Sequence, residues 1–151
     1  MRALVQRVTE ASVRVVDREG GTDRETGRIG RGLVALVGVT HRDGSSEAVK
    51  LARKLAGLRV FPDVDGAMNL SCPDVGGELL VVSQFTLYGD TRKGRRPSFV
   101  DAAAPDHAEP LIEELTRSLR DLGVPVETGR FRAQMQVSLV NDGPVTLLVE
   151  V

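Results

Sequence analysis

Apolar and polar positions along the chain change their period several times, and each change marks a predicted element. From Arg2 to Thr9, the apolar Ala3, Leu4, Val5 and Val8 stand against Gln6 and Arg7, which predicts a strand. Ser12 to Asp17 is rich in β-branched residues and is predicted as its hairpin partner. Arg18 to Asp23 is charged and Gly-rich, a turn or mobile loop. Leu33 to Val39 is an almost unbroken apolar run bounded by Gly32 and Thr40, the pattern of a buried strand. Ser45 or Ser46 is the expected cap of a helix running to about Leu58. Its Ala48, Leu51, Ala52 and Leu55 recur at the spacing of one helical face.

Asp63 to Gly77 is rich in turn residues. Leu79 to Val82 predicts a short apolar strand that delivers Ser83 to Leu87. Asp106 with Glu109 three residues later predicts a capping box opening a second helix. Pro110 is expected in its first turn, where proline is tolerated. Leu111, Ile112, Leu115 and Leu119 form its apolar stripe. Val124 to Thr128 predicts another strand. From Phe131 to Val140, Ala133, Met135, Val137 and Leu139 alternate with Gln134, Gln136 and Ser138, again a strand pattern. Val145 to Val151 predicts the last one. Strands, helix, strands, helix, strands, without regular βα alternation, predict an α+β fold with a largely antiparallel, barrel-like sheet and two main helices. The chain of 151 residues reads as one domain, 1–151, with no repeat or linker.

Composition adds limits. No Trp and few aromatics mean a core of Val, Leu and Ala. Charge interrupts the N-terminal segment too early for a signal peptide, and no apolar run approaches the ~20 residues of a membrane span. With a single cysteine, Cys72, no intrachain disulfide can form. These features together predict a cytoplasmic protein. A net charge of −1 advertises no nucleic-acid partner, yet Arg92, Lys93, Arg95 and Arg96 crowd one short loop. That loop is either a solvated turn or a phosphate contact.

The side chains available for chemistry are few. Only His41 and His107 are present, and with Cys72 they have no metal-ligand spacing. No metal or cofactor is expected. No Gly-x-Ser-x-Gly elbow exists, and Gly27-x-x-Gly30-x-Gly32 lacks the strand–helix setting of a dinucleotide loop, so it reads as turns. Two other stretches stand out: Ser83-Gln84-Phe85-Thr86-Leu87 and Asn141-Asp142-Gly143-Pro144-Val145-Thr146. Both are rich in amides and hydroxyls near strand ends. Such groups suit recognition and stabilisation by main-chain dipoles better than side-chain acid–base chemistry. The first would look the same as a plain strand end with Phe85 and Leu87 in the core.

Taken together, these two stretches resemble the D-aminoacyl-tRNA deacylases of the ordinary bacterial and eukaryotic type. The resemblance extends to Gln6-Arg7-Val8, Arg95-Arg96-Pro97-Ser98-Phe99, Gly129-Arg130-Phe131 and Met135 to Asn141, and spans essentially the whole chain. Arg132 stands where the family has a small residue. The resemblance implies a homodimer with sites at the subunit interface, and hydrolysis of the ester joining a D-amino acid to the terminal adenosine of tRNA. It implies a cis Gly143–Pro144 peptide whose carbonyls enter the partner's pocket and capture the substrate's α-amino group, with Arg7 supporting that loop. It further implies that the Phe85 N–H, with Gln84, steadies the oxyanion, that Ser83 helps bind substrate, and that Met135 lines the adenine pocket. Thr86 lacks a base to activate it. Water, helped by the substrate's 2′-hydroxyl, is the expected nucleophile. Glycyl-tRNA, which has no side chain to reject, is an expected second substrate. The competing readings are an RNA-binding module without turnover and a related editing variant with a trans Gly-Pro.

Overall fold

A computed structural model of the chain describes residues 1–16 and 23–151. Most of the loop predicted at 18–23, and the end of the strand predicted at 12–17, lie outside the described residues.

Strand β1 runs unbroken over Arg2–Val15. The predicted hairpin at Thr9 to Ala11 is therefore absent, because no turn-forming residue is there to reverse the chain. Exposed Thr9 and Glu10 instead mark a bulge, where the register of β1 against its long neighbour shifts. At that bulge β1 also exchanges partners on one edge. Its first half, Arg2 to Val8, pairs antiparallel with β3, Gly32–Gly38. Its second half, Ala11 to Val15, pairs antiparallel with β2, Arg24–Ile29. The glycines read as turns thus begin inside a strand. Gly27 is needed there: a Cβ would fall 2.9 Å from the Thr128 carbonyl oxygen, as β2 curls against the opposite end of the sheet.

The remaining strands of the main sheet are β6, Glu78–Ser83, and β7, Val126–Thr128, in the order β2-β1-β3-β6-β7. The last strand, β8, Met135–Glu150, lies along the other edge of β1. Both the β3–β6 and β6–β7 pairs are parallel. The sheet is consequently mixed rather than largely antiparallel. The helices explain this, since each crossover returns the chain to start a new strand in the same direction. Between β3 and β6 lie α1, Ser45–Ala56, and a two-stranded ribbon of β4, Phe61–Pro62, and β5, Met68–Leu70. Between β6 and β7 lies α2, Pro105–Asp121.

Alternation along the strands sorts the core into two layers. Ala3, Val5, Leu33, Ala35, Val37, Leu79 and Val81 point to the helices and meet Leu51, Leu55, Leu115 and Leu119. Val8, Val13, Val34, Leu80 and Val82 form the opposite layer inside the curl. The helix stripes fall where the periodicity put them, but their caps differ. Gly44 is the N-cap of α1, with Glu47 accepting its N–H at 3.0 Å. Ser45 is the first helical residue, and its hydroxyl reaches Glu114 on α2. Ala104 is the N-cap of α2, Pro105 takes the first position, and Asp106 lies within the first turn without capping it. Pro110 is correspondingly two residues deeper than expected, inside the helix.

The C-terminal third departs most from its pattern. Phe131 to Gln134 is a turn, with Arg132 at φ 60 in the left-handed region. Alternating residues there satisfy a strand pattern, but the chain must first swing from β7 to the far edge of β1. From Met135 onwards β8 is continuous and includes the Asn141 to Thr146 stretch.

Candidate active site

Ser83 ends β6 opposite Val37, and the Gln84 N–H donates to the Val37 carbonyl at 2.7 Å. The chain then tightens into a short 3-10 turn, Phe85–Tyr88. The first N–H groups of such a turn have no partner within it and are free to serve a ligand. The turn is braced from below. Arg2 donates to the Leu87 carbonyl at 3.3 Å and lies 4.3 Å from the centroid of the Tyr88 ring. Phe85 is exposed and meets Phe99 edge-on, with centroids 5.1 Å apart. The Gln84 side-chain amide donates to the Thr86 hydroxyl.

These residues open onto a cleft of about 920 Å³. Ser83, Gln84, Phe85, Thr86 and Met135 all line it, so the structure gathers five of the sequence-nominated residues. Phe99, Ala102 and Phe131 add apolar surface. Met135 also packs beneath the second core layer, and its sulfur accepts the Arg130 N–H at 3.3 Å. Thr86 is exposed, and among the described residues no histidine, lysine or carboxylate is bonded to it. A second depression of about 360 Å³ adjoins the cleft at Ser83 and Phe131. Arg132 lines the main cleft in a backbone conformation that costs a non-glycine residue about 1 kcal/mol.

The Gly143–Pro144 stretch is elsewhere. Across the β1–β8 ladder, Val8 faces Asn141 while Gln6 faces Thr146, so the residues between them are thrown out of register. The Ser83 row crosses β1 at Ala3, whereas this loop leaves β8 near Arg7. Along the sheet that is about 13 Å in the strand direction and three strands, about 14 Å, across. Neither Gly143 nor Pro144 lines the cleft of its own chain. Both are exposed.

Side chains hold the loop. Asn141 donates to the Arg7 carbonyl at 2.9 Å and to the Val145 carbonyl at 3.0 Å, closing its base. Its oxygen accepts from Thr146 at 3.1 Å and Gln6 at 3.4 Å. Arg7, almost wholly buried, donates to the Val60 carbonyl at 2.5 Å. Its Nε lies 3.0 Å from the Asp142 carboxylate, an ion pair without hydrogen-bond alignment. Gly143 adopts φ +121, and a Cβ there would meet Val145 Cγ2 at 2.7 Å. The Gly143–Pro144 peptide is cis.

The cationic loop rises between Asp90 and Ser98, which exchange backbone hydrogen bonds at 2.7 and 2.9 Å. Arg92 is spent locally. Asp90 grips its guanidinium at 2.8 and 2.9 Å, which holds the Asp90 carboxyl down at about 2. Lys93, Arg95 and Arg96 are exposed and unpaired among the described residues. Both histidines brace loops: His41 meets the Val100 carbonyl and His107 the Asp43 carbonyl. Cys72 is buried, and burial, helped by Glu78, pushes its thiol up to about 12. Among the described residues no group of three or more His, Cys, Asp or Glu is gathered to hold a metal, and no helix is long and apolar enough to cross a membrane.

Arg2 and Asp90 were not singled out in the sequence, and Asn141 and Phe99 stood there only as members of longer stretches, with no role of their own. The contacts of Arg2 are with residues far away in the chain, so no local pattern could have marked it.

Fold and cleft first define a class: an α+β barrel protein whose cleft is edged by main-chain N–H groups, amides and hydroxyls around apolar walls. The family profile described as D-Tyr-tRNA(Tyr) deacylase matches residues 4–150, and the chain belongs to this D-aminoacyl-tRNA deacylase family. The D-aminoacyl-tRNA deacylase of Halalkalibacterium halodurans is 57% identical over 150 residues, covering 99% of each chain. That of Thermus aquaticus is 57% identical, covering 99% of this chain and 95% of its own. A solved structure described as c-Myc DNA Unwinding Element Binding Protein superposes with TM-score 0.90 at 40% identity over 100% of this chain and 99% of its own. A second, described as a probable eukaryotic D-amino acid tRNA deacylase, matches the fold with TM-score 0.80 at 19% identity over 99% of this chain and 98% of its own. The chain hydrolyses the ester of D-aminoacyl-tRNA, a proofreading step of translation.

Proposed function

We propose that each active site is built from two copies of the chain. The observation that carries this reading is the separation just described: the cleft and the Gly143–Pro144 loop, the two stretches that carry the family resemblance, do not meet within one chain. A second observation supports it. Outer strand β8 leaves Val137, Val140, Leu147 and Leu148 exposed, apolar surface of the kind that marks a subunit contact.

In this reading Gly143–Pro144 of one subunit enters the partner's cleft. Its carbonyl oxygens take the substrate's α-amino group, and a rigid wall leaves no room for an L side chain. Chirality is thereby selected through exclusion. Glycine carries nothing to exclude, so glycyl-tRNA is also cleaved. Arg7 and Asn141 hold the loop in place. The Phe85 N–H, with Gln84, receives the charge that develops on the ester oxygen. Ser83 contacts the substrate near its amino group or terminal adenosine, and Met135 lies against the adenine. Water attacks, assisted by the ribose 2′-hydroxyl, and Thr86 acts as neighbour rather than nucleophile. Lys93, Arg95 and Arg96 contact tRNA phosphates, and the reaction takes place in the cytoplasm, where tRNA is charged.

Subunit mixing tests the arrangement. Gly143→Ala disables the loop and Phe85→Pro removes the N–H from the turn. Each variant alone is expected to be inactive. A mixed dimer carries both lesions in one site and none in the other, so mixing should restore turnover. No recovery on mixing, with mixed dimers demonstrated by mass, would refute the shared site. Sedimentation should give twice 16.3 kDa.

A further inference from the structure

The turn joining β7 to β8 carries charge that the proposed reaction leaves unused. Arg130 lines the smaller depression, Arg132 lines the main cleft, and Phe131 lies on both. The two cations differ in their surroundings. Glu109 and Glu113 line the depression with Arg130, so carboxylates share its space. In the main cleft Arg132 is the only ionisable side chain among the described lining residues. It is exposed and has no ion pair or hydrogen bond to any described residue. It also occupies a backbone conformation that glycine would take more easily, φ 60. An unpartnered guanidinium on the rim of an otherwise uncharged cleft is suited to an anion brought from outside.

We propose that Arg132 binds the phosphodiester on the 5′ side of the substrate's terminal nucleoside. The inference rests on the reading that this nucleoside enters the cleft. Arg132 sits beside Phe131 and within reach of the same cleft as Met135, so a flat, polarisable surface adjoins a cation. That is the combination that holds a base and its phosphate on a single strand. A carboxylate side chain on the amino acid is the rival anion. The phosphodiester is favoured because every tRNA substrate carries one, whereas few amino acids carry a carboxylate.

The test compares substrates with and without that phosphate: D-tyrosyl-tRNA and 3′-O-(D-tyrosyl)adenosine. Arg132→Gly is chosen because glycine accepts the local backbone. Its loss of kcat/KM on the tRNA should exceed its loss on the adenosine ester by about tenfold, the size of one charge-assisted contact. The slope of log KM against log salt should fall by about one for the tRNA. Arg132→Lys, which keeps the charge, should recover most of the difference. Equal losses on both substrates would overturn the proposal, and so would a loss confined to D-aspartyl-tRNA, which would assign the guanidinium to a side-chain carboxylate. Wild-type discrimination between D- and L-tyrosyl-tRNA, measured in the same series, reads the shared-site proposal separately.

Discussion

The Ser83–Leu87 turn and the Asn141–Thr146 loop are comparable in length and polarity, yet opposite forces hold them. The turn is positioned by main chain: β6 lies between two parallel neighbours, and Gln84 remains tied to Val37. Its side chains are left free to face a ligand. The loop slips out of register with β1 between Asn141 and Thr146, and side chains hold its base: Asn141, Arg7, Gln6 and Thr146. A backbone-held turn tolerates side-chain change while its N–H groups stay in place. A side-chain-held loop frees its own carbonyls but fails when one support is removed.

This contrast orders the expected effects of substitution. The largest belongs to Gly143→Ala. An added Cβ lies 2.7 Å from Val145 Cγ2 and 2.9 Å from the Val145 nitrogen, and φ +121 disfavours any L side chain. The loop must move, and misplacement of about an ångström at a reacting site costs roughly 10²-fold in rate. Single-turnover deacylation of D-tyrosyl-tRNA measures it. A nearly normal rate would show that the loop is not a working part of the site.

Arg7→Ala comes next. It leaves the buried Val60 carbonyl without its donor and Asp142 without its cation. The expected cost is about 2 kcal/mol, or roughly 4–8 °C in Tm for a chain of this size. Selectivity for D over L should erode together with stability. Unchanged selectivity in a folded but less stable variant would reduce Arg7 to a structural support.

A smaller effect attends the cationic loop. Asp90 already occupies Arg92, so Arg95 and Arg96 are the better candidates for phosphate. The double alanine variant should lower the salt slope of tRNA binding by about two and leave Tm near wild type. An unchanged slope would return these residues to the solvent.

Thr86→Ala should matter least. Among the described residues its hydroxyl accepts from the Gln84 amide and no base is bonded to it. A loss within about tenfold fits a backbone-held turn, whereas an activated nucleophile would lose on the order of 10⁴-fold or more. Replacing the substrate's 2′-hydroxyl by hydrogen should cost more than removing the Thr86 hydroxyl. The reverse order would make Thr86 the nucleophile.

The sequence by itself determined much of the local chemistry. Apolar periodicity located both helices and the buried strands, because burial acts on each face residue by residue. The lack of metal-ligand or triad spacing among its histidines and cysteine pointed to main-chain chemistry, and the two polar stretches carried the family resemblance. Partnership and direction were decided only in three dimensions. The unbroken β1, the bulge at Thr9 and Glu10, and the parallel β3–β6–β7 pairs depend on which strand edges meet, and an apolar alternation does not encode that. The same holds for the helix caps. Ser45 had the right side chain for a cap, but its hydroxyl reaches across to Glu114 and the Gly44 backbone takes the position. The turn at Arg132 likewise overrides an alternation that local pattern alone would extend into β8. The separation of cleft from Gly143–Pro144 is the furthest from the sequence, since it follows from the strand order that sets β6 and β8 three strands apart. Local pattern records what each residue prefers; the ladder records which preferences can be satisfied together.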